Sequence, residues 1–170
     1  MKPRIRVEFV VGFLTIIACL VMYITNQGVG IPLWAIFIGW AEYFALGAKP
    51  ELFKTALPSL FPGAILASVC LWGMSLSAFA SWGMWNAVFW ITLTVFLLMV
   101  TLNIPQCNIG LVGFNSFTAV FIIATIGPTA YPTWGCGAII SGSIWVVMSI
   151  IIGYVFGYLS ILLQFPKKVD

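Results

Sequence analysis

Glu42 is the residue whose type and position most directly bear on chemistry. It sits in Gly39-Trp40-Ala41-Glu42-Tyr43-Phe44, inside a long apolar stretch, and is the one charged side chain so placed. A carboxylate near the middle of a bilayer costs a few kcal/mol on insertion scales, and such groups are rare and usually functional. Two readings are open. Glu42 precedes Lys49 by roughly 10 Å of helix, close enough to an interface to snorkel or to pair with Lys49, Lys54 or the N-terminal arginines. Alternatively it lines a path as a proton- or cation-responsive group, with Tyr43 beside it. No second acid occurs in that stretch, so paired-carboxylate chemistry is excluded there.

Polar breaks in apolar sequence are the next carriers. Leu57-Pro58-Ser59-Leu60-Phe61-Pro62-Gly63 holds two prolines, each lacking a backbone donor and crowding the preceding turn. The spacing predicts irregular backbone there, with Pro62 as the first helical residue. Gly113-Phe114-Asn115-Ser116-Phe117-Thr118 offers an amide and two hydroxyls at the matching depth of a later apolar stretch. Irregular backbone inside a membrane survives only where protein or a wet cavity satisfies it. The two segments are therefore expected to meet, with Pro62, Gly63, Asn115, Ser116 and Thr118 forming a polar floor for a small solute. The competing reading is glue between helices, since Ser, Thr and Asn commonly bond across spans. Ser149, Gly153 and Gly157 form a small-xxx-small stripe. Such a stripe serves close packing within one subunit or between subunits, and a homo-oligomer is expected from the second use.

The chain contains no histidine, which removes His-ligated haem, His-rich metal sites and Ser-His-Asp or Cys-His pairs. Cys19, Cys70, Cys107 and Cys136 share no CxxC spacing and read as small buried apolar residues without disulfides. No nucleophile–base pair or metal cluster is visible, so neither an enzyme nor a cofactor is expected. No basic patch interleaved with aromatics points to nucleic acid.

These residues need elements to position them, and composition dictates which. Of the 170 residues, 62% are hydrophobic and 6% are charged, against about a quarter charged in ordinary soluble domains. No charged residue occurs from Thr55 to Pro166. A water-facing surface cannot be made from that sequence, so the chain is expected to be an all-α, polytopic membrane protein forming a single domain in a lipid bilayer.

Six spans are predicted: about Phe9–Ile24, Ile31–Ala48, Ala56–Ala78, Trp85–Leu102, Gly110–Gly127 and Gly137–Leu163. The first follows a basic start, as a signal peptide would, but lacks a small-x-small cleavage site and is kept as a span. The second and fifth are short enough to be tilted or partly re-entrant. Positively charged segments stay in the cytoplasm, which places both termini and the Lys49–Lys54 loop inside. Trp34, Trp82, Trp85 and Trp134 then fall at outer ends, as an interfacial aromatic belt requires. Sliding Pro50 onto Pro105 puts Ala64 on Ala119 and Trp34 on Phe89, a faint parallel repeat of spans two and three with spans four and five. Any two hydrophobic hairpins would show some such likeness.

Trp34, Phe37, Gly39, Tyr43, Phe44 and Ala45, with a Gly-containing third span after them, resemble the YcdZ-like family of small bacterial inner membrane proteins. The resemblance implies a polytopic helical fold in a bacterial inner membrane. It brings no catalytic or binding residue with it. The function expected from the residues themselves is a channel or facilitator for a small polar or weakly charged solute. The rival is a non-transporting scaffold or accessory subunit.

Overall fold

A computed structural model describes residues 5–25, 31–126 and 137–165. Every regular element among them is helical: α1 Val7–Thr25, α2 Leu33–Ala45, α3 Leu52–Thr55, α4 Leu60–Met74, α5 Met84–Thr101, α6 Gly110–Ile126 and α7 Ala138–Gln164, with short 3₁₀ turns at Leu57–Ser59, Ser77–Trp82 and Pro105–Cys107. Four stretches are long and apolar enough to cross a membrane: Val7–Ile24, Leu52–Met74, Met84–Thr101 and Ile139–Gln164. Two apolar helices are shorter, α2 and α6. The protein is an all-α, polytopic membrane protein. At 13 residues, α2 extends about 20 Å, against about 30 Å of hydrocarbon.

The chain divides into two compact units, Met1–Phe53 with Met148–Asp170, and Lys54–Val147. In the first unit α1 packs on α2. Its buried residues Val10, Leu14 and Ala18 recur at every fourth position, while Phe9, Phe13, Ile16 and Leu20 are exposed. That is one packed stripe on a helix whose other faces suit lipid. On α2 the buried set is Ala35, Ile36, Gly39, Trp40, Glu42 and Tyr43, again a single helical face. The helix stops at Ala45, short of the expected Ala48, for a local reason. Gly47 has φ +100°, its N–H donates to the Phe44 carbonyl at 3.1 Å, and the Ala48 N–H donates to the Tyr43 carbonyl at 2.9 Å. This is a Schellman ending, which glycine favours because the left-handed conformation costs it nothing.

The C-terminal part of α7 crosses α2 in this unit. A Cβ on Gly39 would overlap the Ile150 carbonyl oxygen and lie 2.9 Å from the Ile150 Cα. A Cβ on Gly153 would overlap the Ile36 carbonyl oxygen and lie 2.9 Å from the Gly39 Cα. Two glycines thus let the backbones touch, which is how spans associate where lipid removes the hydrophobic drive.

In the second unit α4 packs against both α5 and α6. The proline-rich entry is more regular than its sequence predicts. Pro58 sits in the 3₁₀ turn and α4 begins at Leu60. Pro62 is therefore the third helical residue rather than the first. It is tolerated because first-turn N–H groups have no intrahelical acceptor anyway. Gly113–Thr118, expected to be irregular, lies within the continuous helix α6. Glycine, Asn, Ser and Thr lower helix propensity in water, but in lipid a helix satisfies every backbone group from within.

Candidate functional site

The residues singled out from the sequence fall into both units. Glu42, Tyr43, Ser149, Gly153 and Gly157 belong to the first; Pro62, Gly63, Asn115, Ser116 and Thr118 belong to the second.

In the first unit Glu42 is 2% exposed and Tyr43 is fully buried. The aromatic face of α2 positions them. Tyr43 meets Tyr154 of α7 with ring centroids 5.9 Å apart and Phe53 at 6.1 Å. Phe53 in turn meets Tyr154 at 6.2 Å and Tyr158 at 6.1 Å. All but the Tyr43–Phe53 contact are edge-on, the arrangement that ring quadrupoles favour. The Tyr154 hydroxyl is buried near enough to the Glu42 carboxyl group to feel its charge, and it meets no hydrogen-bond partner of good geometry among the described residues. Above this cluster Trp40 Nε1 donates to Ser160 Oγ at 3.0 Å, Ser160 Oγ donates to the Phe156 carbonyl at 2.8 Å, and Gln164 Nε2 donates to the Ser160 carbonyl at 3.0 Å. The unit therefore contains a buried polar seam between α2 and α7, with one carboxyl group in it.

The stripe of Ser149, Gly153 and Gly157 is occupied within the same chain. Ser149 is fully buried, Gly153 contacts Gly39, and a Cβ on Gly157 would lie 2.6 Å from the Tyr43 ring. Of the two uses open to the stripe, the structure shows the one within the subunit: these small residues bring α7 onto α2.

The second unit brings the two expected segments together, as a tight crossing. A Cβ on Gly63 would overlap the Gly113 carbonyl oxygen and lie 3.0 Å from the Ser116 Cβ. Ser116 Oγ donates to the Leu60 carbonyl at 2.8 Å. The Ile109 N–H donates to Ser59 Oγ at 3.2 Å, so a side chain from the 3₁₀ turn serves an N–H at the start of α6 that no helical carbonyl reaches. Asn115 is half-buried, and Thr118 is exposed and stands outside the crossing. Pro62 borders an open groove with Phe61, Ile65, Leu66, Thr101 and Cys107. That wall is largely apolar, and Gly63 beside it is closely packed against Gly113.

Several polar residues here escaped sequence reasoning. Tyr154 and Ser160 lie more than a hundred positions from their α2 partners, and no local pattern marks them. Ser68 and Ser143, with hydroxyls 2.6 Å apart, were legible only as scattered serines in apolar runs. Cys19, Cys70 and Cys107 carry free thiols, while Cys136 and Trp134 lie outside the described residues, as do the expected outer segments 26–30 and 128–134 and the C-terminal lysines.

A family model described as protein of unknown function (DUF1097) matches residues 9–164. The chain belongs to the DUF1097 family. No curated protein and no solved structure matches it. The match to DUF1097 takes in both the Glu42 seam and the Gly63–Gly113 crossing, and the family description assigns a function to neither.

Proposed function

We propose that this DUF1097 protein is a transporter or facilitator for a small polar or weakly charged solute, with Glu42 as its ion-responsive group. One observation carries the reading: a carboxyl group 2% exposed inside an apolar helix. Buried ionisable groups in membrane helices belong to ion and substrate paths more often than to structure. The lysines and arginines favour both termini and the Lys49–Lys54 loop on the cytoplasmic side. A bacterial inner membrane and kinship with YcdZ-like proteins go with this reading, as does a homo-oligomer formed through surfaces other than the Ser149, Gly153, Gly157 stripe.

The test is uptake of a panel of small polar compounds into proteoliposomes holding the wild-type protein or Glu42→Gln. Uptake of at least one compound by the wild type, lost in Glu42→Gln, supports the reading. If no compound enters through the wild type, or if Glu42→Gln transports normally, the reading fails. A second reading, a non-transporting scaffold, is favoured by the closed Gly63–Gly113 crossing, where Ser116 acts as glue to the Leu60 carbonyl.

A further inference from the structure

Lys54 is the single charged residue of the unit Lys54–Val147. It is exposed, and it forms no ion pair among the described residues. Leu52–Met74 runs as one candidate span through the turn at Leu57–Ser59, so steps of three and four bring Lys54, Pro58, Phe61, Pro62 and Ile65 to one face. The last four of these line an open groove of about 480 Å³, within the range of ligand clefts, about 300–1,000 Å³. The groove is there because α4 turns its other face inward. Leu60 and Ala64 are buried and Gly63 is drawn onto Gly113, which leaves Phe61 and Ile65 exposed. Thr101 and Cys107 form the far wall. Two bonds fix that wall: Cys107 Sγ donates weakly to the Pro58 carbonyl at 3.7 Å, and the Ile109 N–H donates to Ser59 Oγ at 3.2 Å. The turn Pro105–Cys107 is thereby packed on the turn Leu57–Ser59, with Gln106 and Asn108 exposed on either side of Cys107. Lys54 stands one helical turn before Pro58, about 6 Å of rise. One end of the groove therefore carries an ammonium group and two amides, and its walls are apolar.

We propose that this groove binds an anionic phospholipid, with an acyl chain along Phe61, Pro62 and Ile65 and the phosphate at Lys54, beside Gln106 and Asn108. Charge complementarity selects the occupant. The unit holds no acid to answer Lys54, and the ammonium group has three N–H donors for phosphate oxygens, as the amides have two each. A zwitterionic lipid brings a cation of its own, which competes with Lys54 for the same phosphate. The preceding loop, Lys49–Lys54, holds two lysines and one acid, Glu51, so its net charge is also positive. Anionic lipids populate the cytoplasmic leaflet, the side favoured above for Lys54. The groove is separate from Glu42, and the proposal holds whether or not the protein moves a solute.

The experiment is native mass spectrometry of the full chain, offered palmitoyl-oleoyl phosphatidylglycerol and palmitoyl-oleoyl phosphatidylcholine, which share acyl chains and differ in headgroup charge. The expected result is retention of phosphatidylglycerol over phosphatidylcholine by about fivefold, the worth of one lysine at an anionic surface. Lys54→Gln should remove most of that preference, and Lys49→Gln should keep it. The groove itself is read at Cys107, a free thiol in its wall. Maleimide labelling of the wild type in detergent, resolved by peptide mapping, should slow several-fold at Cys107 when phosphatidylglycerol is added. Equal retention of the two lipids, or retention of neither, overturns the proposal. So does an equal loss of preference in the two lysine variants, or Cys107 labelling that phosphatidylglycerol leaves unchanged. A Cys107 thiol shielded without lipid, in step with a doubled particle mass, gives the groove to a second copy of the chain and likewise overturns it.

Discussion

Gly153 of α7 rests on Gly39 of α2 so closely that a methyl group on Gly153 would lie 2.7 Å from the Trp40 backbone nitrogen. The obstacle is backbone on both sides, and backbone cannot turn aside as a side chain can. Gly153→Ala should therefore destabilise the protein by about 1–3 kcal/mol, the usual cost of overfilling a packed site, and Gly153→Leu by more. Gly12 in α1 is the control, since a Cβ there meets nothing within 4 Å. Gly12→Ala should be neutral or stabilising by up to ~1 kcal/mol through helix propensity. Unfolding in detergent, followed by circular dichroism, gives both values. If Gly153→Leu unfolds like the wild type but halves the particle mass, the stripe joins subunits after all.

That stripe shows how far the sequence could be read. Ser149, Gly153 and Gly157 announce a close helix approach, yet the pattern is silent on which helix arrives. Glu42 was legible as an anomaly because one charge in an apolar run stands out. Its neighbour Tyr154 was not, because tyrosine in a membrane helix is ordinary until folding brings it to a carboxyl group. The meeting of Leu57–Gly63 with Gly113–Thr118 was legible from unsatisfied backbone. Its backbone is more regular than proline and glycine suggest, because α4 absorbs Pro62 in its first turn and α6 runs through Gly113.

Ser116 should matter as a bond and Thr118 should not. Ser116→Ala removes the 2.8 Å bond to the Leu60 carbonyl, and hydrogen bonds between membrane helices average about 0.6 kcal/mol with a maximum near 1.7. Thr118 is exposed, so Thr118→Ala should change stability by less than about 0.5 kcal/mol. Equal effects from the two variants would contradict the crossing.

The Ser68–Ser143 pair makes a sharper test of coupling. Each hydroxyl lies 2.8 Å from a carbonyl of its own helix, Ala64 and Ile139, and the two lie 2.6 Å from each other. Two hydrogens cannot serve three contacts, and an Oγ–Oγ separation of 2.6 Å calls for a hydrogen between the oxygens, so one hydroxyl donates across and leaves its own carbonyl. A double-mutant cycle with Ser68→Ala and Ser143→Ala should give a coupling of about 0.5–1.7 kcal/mol. Strict additivity would mean that both hydroxyls bond only within their own helices.

Topology can be read from a single helix. Lys54 and Ser81 are exposed and flank α4, and the stretch Leu52–Met74 is long enough to cross a membrane. In a background without native cysteines, Lys54→Cys should react with a membrane-impermeant thiol reagent from the cytoplasmic side, and Ser81→Cys from the opposite side. Labelling of both from one side would remove α4 as a span and with it the six-span topology.

Glu42 and Asn115 should behave differently in transport. Glu42 belongs to the buried polar seam of α2 and α7, whereas Asn115 lies on α6 beside a crossing closed by Gly63 and Gly113. A solute needs space and groups that change charge or hydrogen bonding with it. The Glu42 seam has the ionisable group, whereas the crossing is tightly packed at Gly63 and carries no charged residue. Glu42→Gln keeps the shape of the side chain and removes its titration, so uptake into proteoliposomes should fall to the level of empty vesicles while the melting temperature stays near that of the wild type. Asn115→Leu adds apolar bulk to a half-buried position, and uptake should remain close to wild type if it folds. Lost uptake in a folded Asn115→Leu together with normal uptake in Glu42→Gln would move the transport path to the α4–α6 crossing and leave the carboxyl group at Glu42 with a structural role.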